Sequence, residues 1–203
     1  MTRRFLILLL LAAFLSQSAF SRTRMREMIM NMPDSVLPLL TQVNRVDCID
    51  FCEAGMQARV TNRMQGTTEL EALSDVYAKW QYTTASTVEM RLLPVEDSTY
   101  VLCVVHTVLL PVADSRVCFY DESWAPLSSS DFISLPSDAE RWTATEVSLS
   151  ADEDTLSVTL RSETYVQGGD EEASVTASSS SYVYVWEEGK FVPRTQFSPQ
   201  TPG

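Results

Sequence analysis

The stretch Tyr100-Val101-Leu102-Cys103-Val104-Val105-His106-Thr107-Val108 is apolar at almost every position, counted odd or even. A strand with one wet face alternates apolar and polar residues, whereas a strand covered on both faces reads as a continuous apolar run. These nine residues therefore predict the central strand of a sheet that is packed on both sides. Outward from it the pattern relaxes to alternation. Val88, Met90 and Leu92 share one face between Thr87, Glu89 and Arg91, and Leu156, Val158 and Leu160 share one between Ser157, Thr159 and Arg161. Such spacing predicts strands with one face in water. Residues 57–62 and 76–82 are further strand candidates, and 69–79 reads equally as strand or helix. Turn residues punctuate the chain at 94–98, 111–115, 152–155 and 168–172, and Glu188-Gly189 separates two apolar runs as a two-residue hairpin. Connections this short favour antiparallel pairing, because parallel crossovers need a dozen residues or more.

Upstream of the strands the period is helical. Pro33-Asp34-Ser35 opens a set at Val36, Leu37, Leu40 and Val43, with Pro38 in the first turn. A second helix is predicted from Asn44 as cap to Gly55 as stop, with Val46, Ile49 and Cys52 along one stripe. The expected class is α+β: short N-terminal helices, then a largely antiparallel sheet of hairpins or a meander, open to folding into two layers.

The N-terminus carries an address. Arg3 and Arg4 precede an unbroken apolar run from Phe5 to Leu15, and Ala19-Phe20-Ser21 fits the small-x-small cleavage pattern of a signal peptide. The run is well short of the ~20 residues that a spanning helix needs. Residues 1–21 are thus expected to be a leader, 22–194 a single domain and 195–203 a frayed tail. The chain is therefore expected to be exported, with no transmembrane segment in the mature part.

Composition narrows the function. The 203 residues hold 15 basic and 27 acidic side chains, a net charge of −12, and only two of the basic residues are lysines. Without Arg3 and Arg4, 13 basic residues face the same 27 acids, a net charge of −14. A surface of that sign repels phosphate backbones, so no nucleic-acid partner is expected. His106 is the only histidine, so any histidine-based mechanism must use it; between Val104 and Val108 it reads as a core or interface residue. No nucleophile elbow, zinc-protease helix, phosphate loop or dinucleotide fingerprint occurs. With 27 acids, no spacing rule picks out a carboxylate pair for glycoside hydrolysis.

Four cysteines remain. Cys48 and Cys52 lie one helical turn apart, and with Asp47 and Asp50 they offer only half of a structural zinc set, so no metal or cofactor is assigned. With a turn at 111–114, Cys118 would face Thr107 and share a face with Cys103 four residues out of register. Buried thiols are the first reading of Cys48, Cys52, Cys103 and Cys118, and export leaves a disulfide open. Asp152-Glu153-Asp154 lacks the alternation of a calcium loop and reads as a solvated turn. Tyr182, Tyr184 and Trp186 share one face of a late strand, a candidate partner-binding strip or a half-buried sheet face.

Several phrases resemble one family together: Met32-Pro33-Asp34-Ser35-Val36-Leu37-Pro38-Leu39-Leu40, Arg45-Val46-Asp47-Cys48-Ile49-Asp50-Phe51, Leu92-Leu93-Pro94, Asp114-Ser115-Arg116-Val117-Cys118-Phe119-Tyr120-Asp121 with Trp124, and Thr155-Leu156-Ser157-Val158-Thr159-Leu160. The chain is similar, from about Met28 to Val192, to an uncharacterised family of exported proteins from Bacteroides, Prevotella and relatives. The resemblance implies one domain in a Gram-negative envelope and no activity, ligand or site residue. The expected role is non-enzymatic binding of an envelope protein or surface component, through an exposed edge strand or the Tyr182/Tyr184/Trp186 face. A glycan hydrolase using a carboxylate pair and a carrier of small apolar ligands are the alternatives.

Overall fold

A computed structural model describes residues 24–96, 99–109, 111–136, 139, 142–166 and 174–197, without the side chains of 163–166, 174–177 and 195–197. The leader, the 168–172 turn and residues 198–203 lie outside the described residues. Among the described residues the protein is mostly antiparallel β-sheet with two α-helices, α1 (Arg24–Asn31) and α2 (Gln42–Glu53).

Seven strands follow in simple meander order: β1 (Arg59–Thr61), β2 (Thr67–Leu73), β3 (Tyr77–Thr83), β4 (Ser86–Glu96), β5 (Thr99–Val108), β6 (Asp114–Tyr120) and β7 (Pro126–Leu127). A second sheet has the order β11-β10-β9-β8, from β8 (Ala144–Leu149), β9 (Thr155–Val166), β10 (Ser174–Glu187) and β11 (Lys190–Phe197). The helices cover one face of the seven-stranded sheet and the second sheet covers the other. β5 is apolar throughout for that reason. Leu102 and Val104 enter the core under the helices, while Val101, Cys103 and Val105 enter the core between the sheets. Each fully buried aliphatic side chain there contributes about 1.5–3 kcal/mol relative to exposure.

The alternation in β4 has a different meaning from the expected wet face. Glu89 and Arg91 point toward the second sheet, and Arg91 is only 3% exposed. Its guanidinium donates to Asp154 Oδ1 at 2.6 and 2.9 Å and to the carbonyls of Ser150 and Ala151. The β8–β9 turn is thereby fastened to the larger sheet. The β8 edge is closed in the same manner. Its amides at Thr145, Val147 and Leu149 donate to Asp114 Oδ1 (3.0 Å), Ser115 Oγ (2.9 Å) and Glu89 Oε2 (2.8 Å), so side chains of one sheet occupy the edge of the other.

Three expectations need correction, and one open alternative is resolved. Residues 34–39 form turns, not a helix: Val36, Leu37 and Leu40 are buried, but Val43 is 67% exposed. Pro38 has no N–H and disfavours helical backbone at Leu37, and the buried Arg45 guanidinium takes the carbonyls of Met32 and Leu40. The true cap of α2 is Thr41, with Asn44 as its capping-box partner, while Gly55 stops the helix with φ +67°. Residues 69–79 are strand, divided between β2 and β3. Finally, β11 runs to Phe197, three residues past the expected domain end.

Candidate functional site

Tyr182, Tyr184 and Trp186 do share a face, and that face is turned inward. They are 7%, 1% and 8% exposed. Tyr184 donates its hydroxyl to Ser134 O at 3.2 Å and Trp186 its indole N–H to Pro94 O at 2.6 Å. Trp186 meets Phe191 edge-on at 5.0 Å and stacks on Phe132 at 6.1 Å. These rings fill the space between the sheets, so a partner could reach them only by parting the layers. The interior strip is core, not a docking face.

Of the cysteines, Cys48 and Cys103 are buried and Cys52 and Cys118 partly so. The β5–β6 loop is longer than a tight turn, because Leu109 N bonds Ala85 O and Pro111 has no N–H to continue the ladder. Thr107 therefore faces Ser115, Cys118 faces Val104, and Cys103 faces Phe119. Cys103 and Cys118 point to opposite faces of the sheet, and all four cysteines are free thiols. Burial pushes the Cys48 thiol up to about 12 and raises Cys52 and Cys103 as well, the reverse of a reactive thiolate. Among the described residues no three His, Cys, Asp or Glu side chains gather as metal ligands.

His106 is half-buried on the helix-side face, paired across the sheet with Val88 and Arg116. Burial lowers its pKa from 6.5, and the neighbouring Arg116 charge lowers it further. No described residue hydrogen-bonds it, so the orienting carboxylate and adjacent nucleophile of a triad are both missing from its surroundings.

Two surface depressions lined by described residues bear on function. One, of about 370 Å³, lies between α1 and the β6–β7 turn and holds Arg24, Glu27, Asn31 and Glu122 over Met28 and Leu92. Arg24 sits 4.3 Å above the Tyr100 ring. Glu27 and Glu122 are the carboxylate pair that hydrolysis would call for, but both are exposed and lack the apolar enclosure of a general acid. The adjoining turn is built for anchoring. Asp121 Oδ1 accepts from the amides of Ser123 and Ala125, holding Trp124 at φ +67° with its indole N–H on Met28 O at 3.1 Å.

The other depression, a groove of about 310 Å³, opens at the seam where β6 and β8 face each other beside the 129–135 loop. Its floor is Val117, Ile133 and Val147, with Leu135 exposed at the lip, and Asp114, Ser115 and Thr145 stand along the wall. Ser115 is fully engaged with Val147 N and the Thr107 hydroxyl, and Ser129 donates to Val117 O at 3.1 Å. Asp114 commits Oδ1 to Thr145 N and leaves Oδ2 without a partner among the described residues. An apolar floor with a few convergent polar groups is the usual make-up of a binding site. The separated residues of this groove carry no sequence spacing that could have announced it.

Comparison with known proteins gives a family. Residues 16–147 match the model of a protein of unknown function, DUF3256. The chain belongs to this family. The DUF3256 match spans the helices, the whole seven-stranded sheet and most of β8, so it includes the β6–β8 seam but not β9–β11. A solved domain of an uncharacterized protein from Porphyromonas gingivalis W83, one of the Bacteroidales, is 29% identical to this DUF3256 chain. That match covers 84% of this chain and 99% of the other, with a TM-score of 0.65. No curated protein sequence matches the chain. An uncharacterised family is thus what the sequence phrases belong to. Among the described residues no helix is long and apolar enough to cross a membrane.

Proposed function

We propose that the protein is exported by the leader at residues 1–21 and serves in the bacterial envelope as a binding module, with the β6–β8 seam groove as its site. The observation that carries this reading is the groove itself, an open apolar floor beside a carboxylate with one uncommitted oxygen at the junction of the two sheets. The aromatic strip is occupied as core and the β8 edge by side chains, so the groove suits a partner better than either.

The test is site-directed photocrosslinking in intact cells of the source organism. A photoreactive residue at Leu135, on the groove lip, should yield one discrete envelope adduct, and the same residue at Met64, 76% exposed in the β1–β2 turn, should not. Adducts equal at both positions, or none at Leu135 with the chain folded and abundant, would overturn the assignment. The mass of the processed chain checks export separately: a mature N-terminus at Arg22 is expected.

A further inference from the structure

We propose that the seam groove receives a lysine side chain of the partner protein, with the aliphatic stem on Val117, Ile133 and Val147 and the ammonium at Asp114 Oδ2. The inference rests on the binding reading above and adds the chemistry of the occupant. Three observations point the same way. The floor is apolar, which suits a methylene chain, and its volume of about 310 Å³ lies at the small end for ligand sites, fitting one inserted group better than a large molecule. The wall offers the free Oδ2 of Asp114, a residue that forms no ion pair among the described residues. One free carboxylate oxygen beside an apolar floor matches a compact ammonium on a straight four-carbon stem, whose rotatable donors need no fixed fork of acceptors. The net charge of −12 draws a cation toward the groove from a distance.

The protein itself supplies almost no competing occupant. Of its two lysines, Lys79 is paired with Glu71 at 3.3 Å, and Lys190 is the first residue of β11 after the Glu188-Gly189 turn. A second copy of this chain could present only the exposed Lys190, so a basic segment of another protein is the partner that fits.

The experiment is an NMR titration of the mature chain with Nα-acetyl-lysine methylamide, compared with the norleucine analogue that keeps the stem and lacks the ammonium. The lysine probe should shift the Val117 and Val147 methyls and the Thr145 amide saturably, with a Kd on the order of millimolar for so small a ligand. The norleucine probe should bind about tenfold more weakly, and added salt should weaken only the lysine probe. Asp114→Asn, whose amide oxygen still accepts from Thr145 N, should bring the lysine probe down to the norleucine level. The wild-type comparison and its salt dependence decide the matter even if that variant folds poorly. Equal binding of the two probes would overturn the ammonium assignment while leaving the groove as a binding site. Silence of the groove signals to both probes would overturn this proposal, and the Leu135 crosslink then reports separately whether the binding role stands.

Discussion

Arg91 carries a full charge at 3% exposure, in the middle of a strand, because four hydrogen bonds to the β8–β9 turn satisfy it there. Replacing it with alanine leaves the Ser150 and Ala151 carbonyls and the half-exposed Asp154 without their donor. A loss of about 3 kcal/mol is expected for an interaction of this kind, read as a lower urea midpoint with an unchanged slope. His106 makes a second residue-level prediction. Its pKa is lowered in the fold, so just below pH 6.5 the unfolded chain binds more protons than the folded one. Stability from this residue is complete above 6.5 and falls as the pH drops through that window. His106→Gln should flatten this part of the stability–pH curve relative to wild type; identical curves would contradict the assignment. His106 was visible in the sequence as a titratable member of an apolar strand, whereas Arg91 read as a wet-face residue of an alternating one. Its partner was not visible, since Asp154 lies 63 positions from Arg91.

At the level of elements, local signals fared best where one residue type has one job. Glu188 and Gly189 adopt φ +49° and +78° and close the β10–β11 hairpin, with Glu187 opposite Lys190. Gly55 ends α2 as its position in the sequence indicated. The start of α2 was harder, because Thr41 and Asn44 are both good caps. Thr41 wins by a reciprocal arrangement: its side chain accepts from Asn44 N at 3.1 Å, and Asn44 Oδ1 accepts from Thr41 N at 3.1 Å. Thr41→Ala should therefore cost about 1 kcal/mol, whereas Asn44→Ala should cost less, because it leaves the main cap bond in place. Chemical denaturation of the two variants distinguishes them. Helix α1 was not among the predicted helices, although Met25, Met28, Ile29 and Met32, all at most 8% exposed, carry the i, i+3, i+4, i+7 spacing that could have announced it.

Across the whole molecule, the seven-stranded sheet has two apolar faces and needs a cover for each. The helices supply one and β8–β11 the other, which has a direct consequence for truncation. A chain cut after Ser150 keeps nearly all of the family-matched region yet bares Leu93, Val101, Cys103, Val105 and Phe119. It should bind a hydrophobic dye strongly and aggregate, while the full mature chain stays monodisperse in light scattering. The sequence alone indicated most of the strands, that neighbouring ones pair antiparallel, and that β5 is covered on both faces, because side-chain alternation and turn chemistry act over a few residues. Only the tertiary structure decided what covers each face of β5, which way the Tyr182/Tyr184/Trp186 strip points, and that Asp114, Val117, Ile133 and Val147 meet in one groove. Those outcomes depend on how two sheets dock, and the side chains that direct the docking sit far apart along the chain.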